Sequence, residues 1–440
     1  MNRRYLFKSI CALGVALVLS VATARAAEPV ALSLSEAIRE ALARNPMLAI
    51  ETARTRESES DLEAARAPLL PRLSATAYDN RLNDDRLSPI GSSTPTTSLY
   101  TRESFAGLTA RQLLYDGGRS RGARDAAVIG LEGQRTGLMA VRDETILRVT
   151  QAFARALAAA ELVRVAQGAL ARQQSFETMT ADFFRAGKAT RLDVLKAEAA
   201  RLDAEKSLTA ARESETVALA QFAQAMGFDS RAGIVPRGAL TRDLAEPPPL
   251  DQTTDAVLAH NPDLQRAARQ VEQARKNLDA SRGVYRPELA LQGSYGQRER
   301  DIGGSAPEWL VGVTANWTLY GGGALTAQVA GAQARLTQAQ EAQRALELDI
   351  GTQVHDVLGA WRTALSDARA AARLVETDRE ALAAAEMLYR VGKATALDVL
   401  TAQADLARAE GAQVTALANH ASAQARFARL TGAAPTETQP

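Results

Sequence analysis

"FRAGKATRLDVL" runs from Phe184 to Leu195, and 205 residues later "YRVGKATALDVL" runs from Tyr389 to Leu400. Nine of the twelve positions are identical. Gly187 and Gly392 suit the left-handed residue that ends a helix, and Thr190 and Thr395 suit the N-cap of the next one. Asp193 and Asp398, three residues further on, complete a capping-box arrangement. Each phrase therefore predicts a tight turn between two antiparallel helices. In the first copy Leu192, Leu195, Ala199 and Leu202 are expected to resume a core-facing stripe. Cap duty accounts for both aspartates. It does not account for Arg, Gly, Lys, Ala and Thr matching between the copies, which points to a tip that docks a partner or forms a constriction.

Outward from the phrases the repetition continues. "LLYDGG" (113–118) matches "TLYGGG" (318–323), and "QFAQAMG" (221–227) matches "RFARLTG" (426–432), both at the same offset of 205. Nearer the start, residues 41–73 match 257–289 at an offset of 216, pairing Asn45-Pro46 with Asn261-Pro262 and Pro71 with Pro287. The change of offset places an eleven-residue length difference between Tyr78 and Ser104. Such a difference belongs in a surface loop, where length costs little.

The chain thus reads as two copies of one unit. The first spans 27–232, with a helix over about 34–67 broken at Asn45-Pro46, strands over about 70–78 and 104–115, a long helix over about 119–186, a tip at 187–190 and a helix over about 191–226. The Pro-rich stretch 233–252 links it to the second unit, 253–432. That unit has strands over about 287–297 and 309–320, a long helix over about 324–391, a tip at 392–395, a helix over about 396–431, and a tail at 433–440.

The strands are read from period-two patterning. Trp309, Val311, Val313, Ala315, Trp317 and Leu319 alternate with Gly312, Thr314, Asn316 and Thr318; Leu289 and Leu291 alternate with Ala290, Gln292 and Ser294. In the first unit Ala106, Leu108, Ala110 and Leu114 alternate with Gly107, Thr109 and Arg111. Aromatics at both ends of one apolar face suit a membrane barrel, and the same alternation suits an ordinary half-buried sheet. Arg111, with Asn316 at the matching position, lies on the polar phase, where it would face a water-filled lumen in a barrel. Polar loops are expected over 79–103 and 296–308. Each long helix would run about 100 Å at 1.5 Å per residue, the length of a rod or tube. Ile146, Val149, Phe153, Ala156, Ala160 and Val163 carry coiled-coil spacing, as do Val354, Leu358, Trp361 and Leu365.

Other features narrow the function. "MNRRYLFK", an apolar run and Ala24-Arg25-Ala26 form the plan of a secretory signal peptide over residues 1–26. No later segment offers some twenty apolar residues in a row, so a chain that crosses a membrane would do so as strands of a closed barrel. Cys11, the single cysteine, lies inside the signal, and the large Ile10 before it argues against acylation. Disulfide frameworks and thiol chemistry are thereby excluded. Without Arg3, Arg4, Lys8 and Arg25 the remaining chain carries 48 basic and 51 acidic residues, a net charge near −3. No basic block with interleaved aromatics suggests nucleic acid. His260, His355 and His420 lie apart without metal-ligand spacing, and "YDGG" and "YGGG" lack the Lys-Ser/Thr of a phosphate loop. No cofactor and no catalysis are expected.

The Asn-Pro-x-Leu near the start of each unit, the "LYDGG" and "LYGGG" strand ends and the "RxGKATxLDVL" tips together resemble the outer-membrane efflux protein family, the TolC-like channel tunnels. The resemblance covers essentially the whole chain after the signal. It implies an α+β, mostly α protein: a homotrimer with a twelve-stranded outer-membrane barrel, four strands per protomer, continued by a long periplasmic α-helical tunnel. It implies a passive exit duct that receives substrate from an inner-membrane transporter, ABC or proton-driven, through a periplasmic adaptor (membrane fusion) protein.

By the same resemblance the adaptor docks on Arg185, Gly187, Lys188, Thr190, Leu192, Asp193, Val194 and Leu195, and on Arg390, Gly392, Lys393, Thr395, Leu397, Asp398, Val399 and Leu400. Asp398 falls where the family places an acidic ring at the periplasmic entrance, and Tyr389 and Asp193 match a pair that helps hold the closed state. Ala394 and Thr401 depart from that closing network. Drug efflux, type I protein secretion and metal efflux share this architecture. The alternative of a different class is a soluble periplasmic coiled-coil scaffold or adaptor whose sheet never enters a membrane.

Overall fold

The computed structural model describes residues 30–81, 102–300 and 304–432. The signal read in residues 1–26, with Cys11, the tail at 433–440 and most of the loop at 79–103 lie outside the described residues. The first unit begins with β1 (Val30–Leu32), α1 (Leu34–Arg44), α2 (Pro46–Arg66), β2 (Arg72–Arg81) and β3 (Arg102–Tyr115). It ends with α3 (Arg119–Arg185) and α4 (Arg191–Ala225), after which comes β4 (Ile234–Pro236). The second unit has α5 (Leu250–His260), α6 (Pro262–Arg282), β5 (Glu288–Arg300), β6 (Gly304–Asn316), α7 (Ala324–Arg390) and α8 (Ala396–Thr431).

The four longer strands form one antiparallel sheet in the order β2-β3-β5-β6, so β3 joins the two units directly. β5 and β6 continue through most of the 296–308 stretch expected as a loop, leaving residues 301–303 between them. Polar residues there satisfy the ladder as well as apolar ones do, because backbone pairing is indifferent to which solvent the side chains meet. β6 ends at Asn316, so Trp317 and Leu319 follow the strand rather than belong to it. Two short strands were not foreseen: β1 pairs in parallel with β4, inside the stretch read as a linker. Three residues per strand are too few to show a period.

α3 and α7 are 67 residues each, about 100 Å at 1.5 Å per residue. α3 packs against α4 and α8, and α8 against α7, so the lower helices lie in the row α4–α3–α8–α7. Nearer the sheet, α2 and α6 replace α4 and α8 beside α3 and α7. The Asn-Pro pairs explain this stacking. Asn45 caps α2 by accepting the Met47 N–H at 2.9 Å, and its amide donates to the Ala225 carbonyl at the end of α4, also at 2.9 Å. Asn261 does the same for α6, donating to the Leu430 carbonyl at the end of α8 at 3.0 Å. Each asparagine thereby joins a lower helix to an upper one.

Two equivalent cores sit at this junction. Val149, Phe153, Ala156, Phe222 and Met226 build the first, with Phe153 and Phe222 edge-to-face at 5.6 Å. Val354, Leu358, Trp361, Ala423 and Leu430 build the second. Trp361 stands where the first unit has Ala156, and the connecting stretch accommodates it: the indole N–H lies 3.2 Å from the Ala245 carbonyl and 3.1 Å from Nε2 of the buried His420. Ala160, expected in the coiled-coil seam, is exposed. Its neighbours Ala156, Leu157, Ala158 and Ala159 take the packed positions.

Candidate functional site

The sheet presents two chemically distinct faces. Cross-strand register puts Leu73, Leu108, Tyr295, Trp309, Val311 and Val313 on one of them. All six are exposed, Trp309 at 73% and Val311 at 67%. Contiguous exposure of this size marks a surface that meets something apolar. Trp309 and Asn316, the last residue of β6, are seven residues apart, about 23 Å along the strand, and Trp317 follows directly. That span compares with an apolar band about 25 Å tall between aromatic girdles in outer-membrane barrels. Leu319 and Tyr320 extend the lower girdle, and the Trp317 indole donates to the Tyr285 carbonyl at 3.0 Å. Among the described residues no helix is long and apolar enough to cross a membrane.

The opposite face is polar. Ser74 and Thr109 hydroxyls meet at 2.8 Å, and Arg111 pairs with Glu288 at 2.7 Å. Near the far end of the strands Tyr78 stacks on Phe105 at 5.7 Å, and the Arg298 guanidinium lies 5.3 Å from the Phe105 ring centre. Arg298 is held by Glu103 and Glu308. The Phe105 ring reaches over Gly107 and Gly296, where an added Cβ would come within 2.6 and 2.8 Å of its Cζ. This cluster joins four strands, which is why reading strands singly missed it. The repeated glutamates at 103 and 308 were the signal available.

The two tips lie at the opposite end of α3 and α7 from the sheet. Gly187 and Gly392 have φ of 72° and 76°, the left-handed region that favours glycine. Thr190 and Thr395 form reciprocal capping boxes with Asp193 and Asp398. The Asp398 carboxyl is held below its ordinary value of 3.8, first by the Thr395 backbone N–H at 2.7 Å and then by the Thr395 hydroxyl. A carboxylate with a lowered folded-state pKa stabilises above its unfolded pKa, and the contribution is lost as pH falls through the folded one. The α8 cap is therefore expected to hold at neutral pH and to weaken only below about pH 4. Thr395→Val is expected to cost about 1 kcal/mol locally, speeding amide exchange at 393–399 about five-fold without altering exchange at the cores around Phe153 and Trp361. Equal acceleration in both places would mean the cap supports the whole protein.

The candidate residues separate into three groups. Arg185, Gly187, Lys188, Thr190, Leu192, Leu195, Arg390, Gly392, Lys393, Thr395, Leu397 and Asp398 are exposed. Asp193, Val194 and Leu400 are half-buried, and Val399 and Tyr389 are buried. Tyr389 packs against Phe176 at 5.4 Å and Phe183 at 5.6 Å. Among the described residues its hydroxyl has no hydrogen-bond partner, while Asp193 is engaged by Thr190, so the structure does not join Tyr389 to Asp193. The stripe expected to face the core in α4 is also corrected. Leu192, Leu195, Ala199 and Leu202 are exposed. α4 ends the row and meets chiefly α3, so its own chain covers one side only, whereas α8 lies between α3 and α7.

Among the described residues no group of His, Cys, Asp or Glu could hold a metal ion. Comparison with known proteins matches the family described as outer membrane efflux protein over residues 37–228 and 253–433, once in each unit. Outer membrane efflux protein BepC of Brucella suis is 29% identical over 340 residues, covering 73% of this chain and 70% of that one. Outer membrane protein OprJ of Pseudomonas aeruginosa is 26% identical over 373 residues, covering 79% and 74%. The crystal structure of the outer membrane protein VceC from Vibrio cholerae superposes with a TM-score of 0.79 at 21% identity, covering 91% of this chain and 96% of that one. An apolar-faced sheet, a rod of paired helices and a twofold family match thus agree: the chain belongs to the outer membrane efflux protein family and is an outer-membrane exit duct, not an enzyme or a soluble scaffold.

Proposed function

We propose that three copies of this chain close into one duct that conducts substrate passively from an inner-membrane transporter, by way of a periplasmic adaptor, to the exterior. What carries the reading is that the protomer is open at both ends of both its layers. Among the described residues β2 and β6 are unpaired edges, and they run in opposite directions, so β6 of one copy can extend an antiparallel ladder to β2 of the next. The end helices match them. Above the tips α4 exposes Leu202 and Val217, and α7 exposes Leu348, Leu374 and Met387. One rotation serves both layers, making a head-to-tail interface that closes a ring. Closure removes the strand edges, which lipid cannot satisfy. Three copies, as the family resemblance implies, supply twelve strands and a surrounding tube of helices.

The tips are assigned to the adaptor and to the entrance. Arg185, Lys188, Leu192 and Leu195 on one tip, with Arg390, Lys393 and Leu397 on the other, form the exposed docking surface. Val399 supports it from beneath. Asp398, repeated three times, places negative charge at the narrow end, and Asp193 and Tyr389 are further members of the entrance. Purified protein in a planar bilayer is expected to give discrete, long-lived conductance steps. Asp398→Ala is expected to weaken block by multivalent cations while leaving the trimer intact. Folded trimer that never inserts would overturn the duct, and loss of the trimer in Asp398→Ala would reduce that aspartate to a helix cap.

A further inference from the structure

We infer that the inner end of the barrel lumen is a basic collar that selects anionic substrate, built from Arg72, Arg111 and Arg119 of each protomer. The inference rests on the duct proposed above and concerns which solutes it favours. Arg72 and Arg111 face one another directly across the β2–β3 ladder, on the polar side of the sheet. Like charges in directly opposed positions destabilise a sheet, so the pair needs a reason other than folding. Two carboxylates lie at this level, Glu288 and the buried Asp116, which accepts from the Gly118 and Ser120 N–H groups beside Arg119. Glu288 accepts from Arg111 through Oε1 at 2.7 Å and from Arg119 through Oε2 at 2.6 Å. Among the described residues Arg72 has no ion-pair partner, and its side chain is exposed. Three arginines against Glu288 and Asp116 leave one positive charge per protomer, three around a ring of three.

The internal repeat supplies the control. The position of Arg72 is occupied in the second unit by Glu288, that of Arg111 by Asn316 and that of Arg119 by Ala324. Glu288 and Asn316 are themselves directly opposed, in the β5–β6 ladder. The same end of the same strand pair thus folds without any arginine. At the other end of the polar face Arg298 is held by two carboxylates, Glu103 and Glu308. Arg72, exposed and without an ion pair among the described residues, stands at the level where the strands pass into the helices.

Charge lining a channel with low-dielectric walls acts on solutes more strongly than the same charge on an open surface. Guanidinium forks, moreover, fit carboxylate, phosphate and sulfate oxygens two at a time. The collar would therefore raise the local concentration of solutes bearing those groups, midway between the entrance and the exterior. Lipid headgroups are not its partner, because the apolar face of the sheet is the other one.

The test is reversal potential across a planar bilayer in a potassium chloride gradient, with inorganic tripolyphosphate as a blocking probe. In the double variant Arg72→Gln, Arg111→Gln the chloride-to-potassium permeability ratio is expected to fall about three-fold or more, and block by tripolyphosphate to weaken about ten-fold. Arg81→Gln, on the apolar-phase face of the same strand, is expected to change neither. Should the double variant fail to assemble, Arg72→Gln alone gives the same readings, smaller in size, since Arg72 holds no ion pair. Unchanged ratio and block in a conducting variant would overturn the collar and leave the duct standing. Folded unaltered protein that never inserts would overturn both.

Discussion

Val311→Arg is expected to keep the protein out of the outer membrane, while Gly312→Arg, one residue further along the same strand, is expected to insert normally. Val311 is 67% exposed and lies between Trp309 and Val313 on the apolar face. A basic side chain facing lipid near the middle of a barrel costs about 2–4 kcal/mol, an amount repeated in every copy of the assembly. Gly312 is on the polar face, with nothing within 4 Å of where a Cβ would stand, so an arginine there has room and reaches water. The measurement is the yield of heat-labile oligomer in the outer-membrane fraction. Equal yields from both variants would mean that the apolar face is not the lipid face. Loss of both would mean that the polar face has no water-filled space beside it.

Asn261→Ala is expected to destabilise the protein by about 3 kcal/mol, combining a lost cap of about 1 kcal/mol with a buried carbonyl left unsatisfied at about 1–3 kcal/mol. Asn261 is 1% exposed, accepts from the Asp263 and Leu264 N–H groups and donates to the Leu430 carbonyl. Asn45→Ala removes the equivalent bonds at a half-buried site where water can replace them, so about 1 kcal/mol is expected there. Because membrane-protein unfolding is commonly irreversible, the readout is the rate of thermal inactivation of solubilised oligomer at a fixed temperature. A several-fold faster rate for Asn261→Ala than for Asn45→Ala is the expected result. Equal rates would show that the link between lower and upper helices carries no more than an ordinary cap.

Those asparagines also show which features the chain makes visible before it folds. Asn followed by Pro signals a helix start because both parts of the signal act within one turn: the side chain bonds N–H groups two and three residues on, and proline needs no N–H there. The second bond of each asparagine, to a carbonyl about 170–180 residues away in sequence, leaves no local mark. The tips divide in the same way. "GKAT" announces its own turn, since Gly187, Thr190 and Asp193 act on one another's backbone. Yet the same phrase leads into α4, whose Leu192, Leu195 and Leu202 are uncovered, and into α8, whose Val399 and Leu406 are buried.

Sequence alone determined the twofold repeat, the helix caps and turns, the two phases of each strand and the family to which these belong. All of these depend on residues within a few positions of one another, or on recurrence that needs no distance. Tertiary structure decided which apolar stripes the chain covers for itself, the pairing of β1 with β4, the Phe105–Arg298 cluster and the sharing of Glu288 between Arg111 and Arg119. Each of these is settled by which helix or strand comes to lie beside another. That choice is made by packing across a hundred or more residues, where identical local phrases can meet different neighbours.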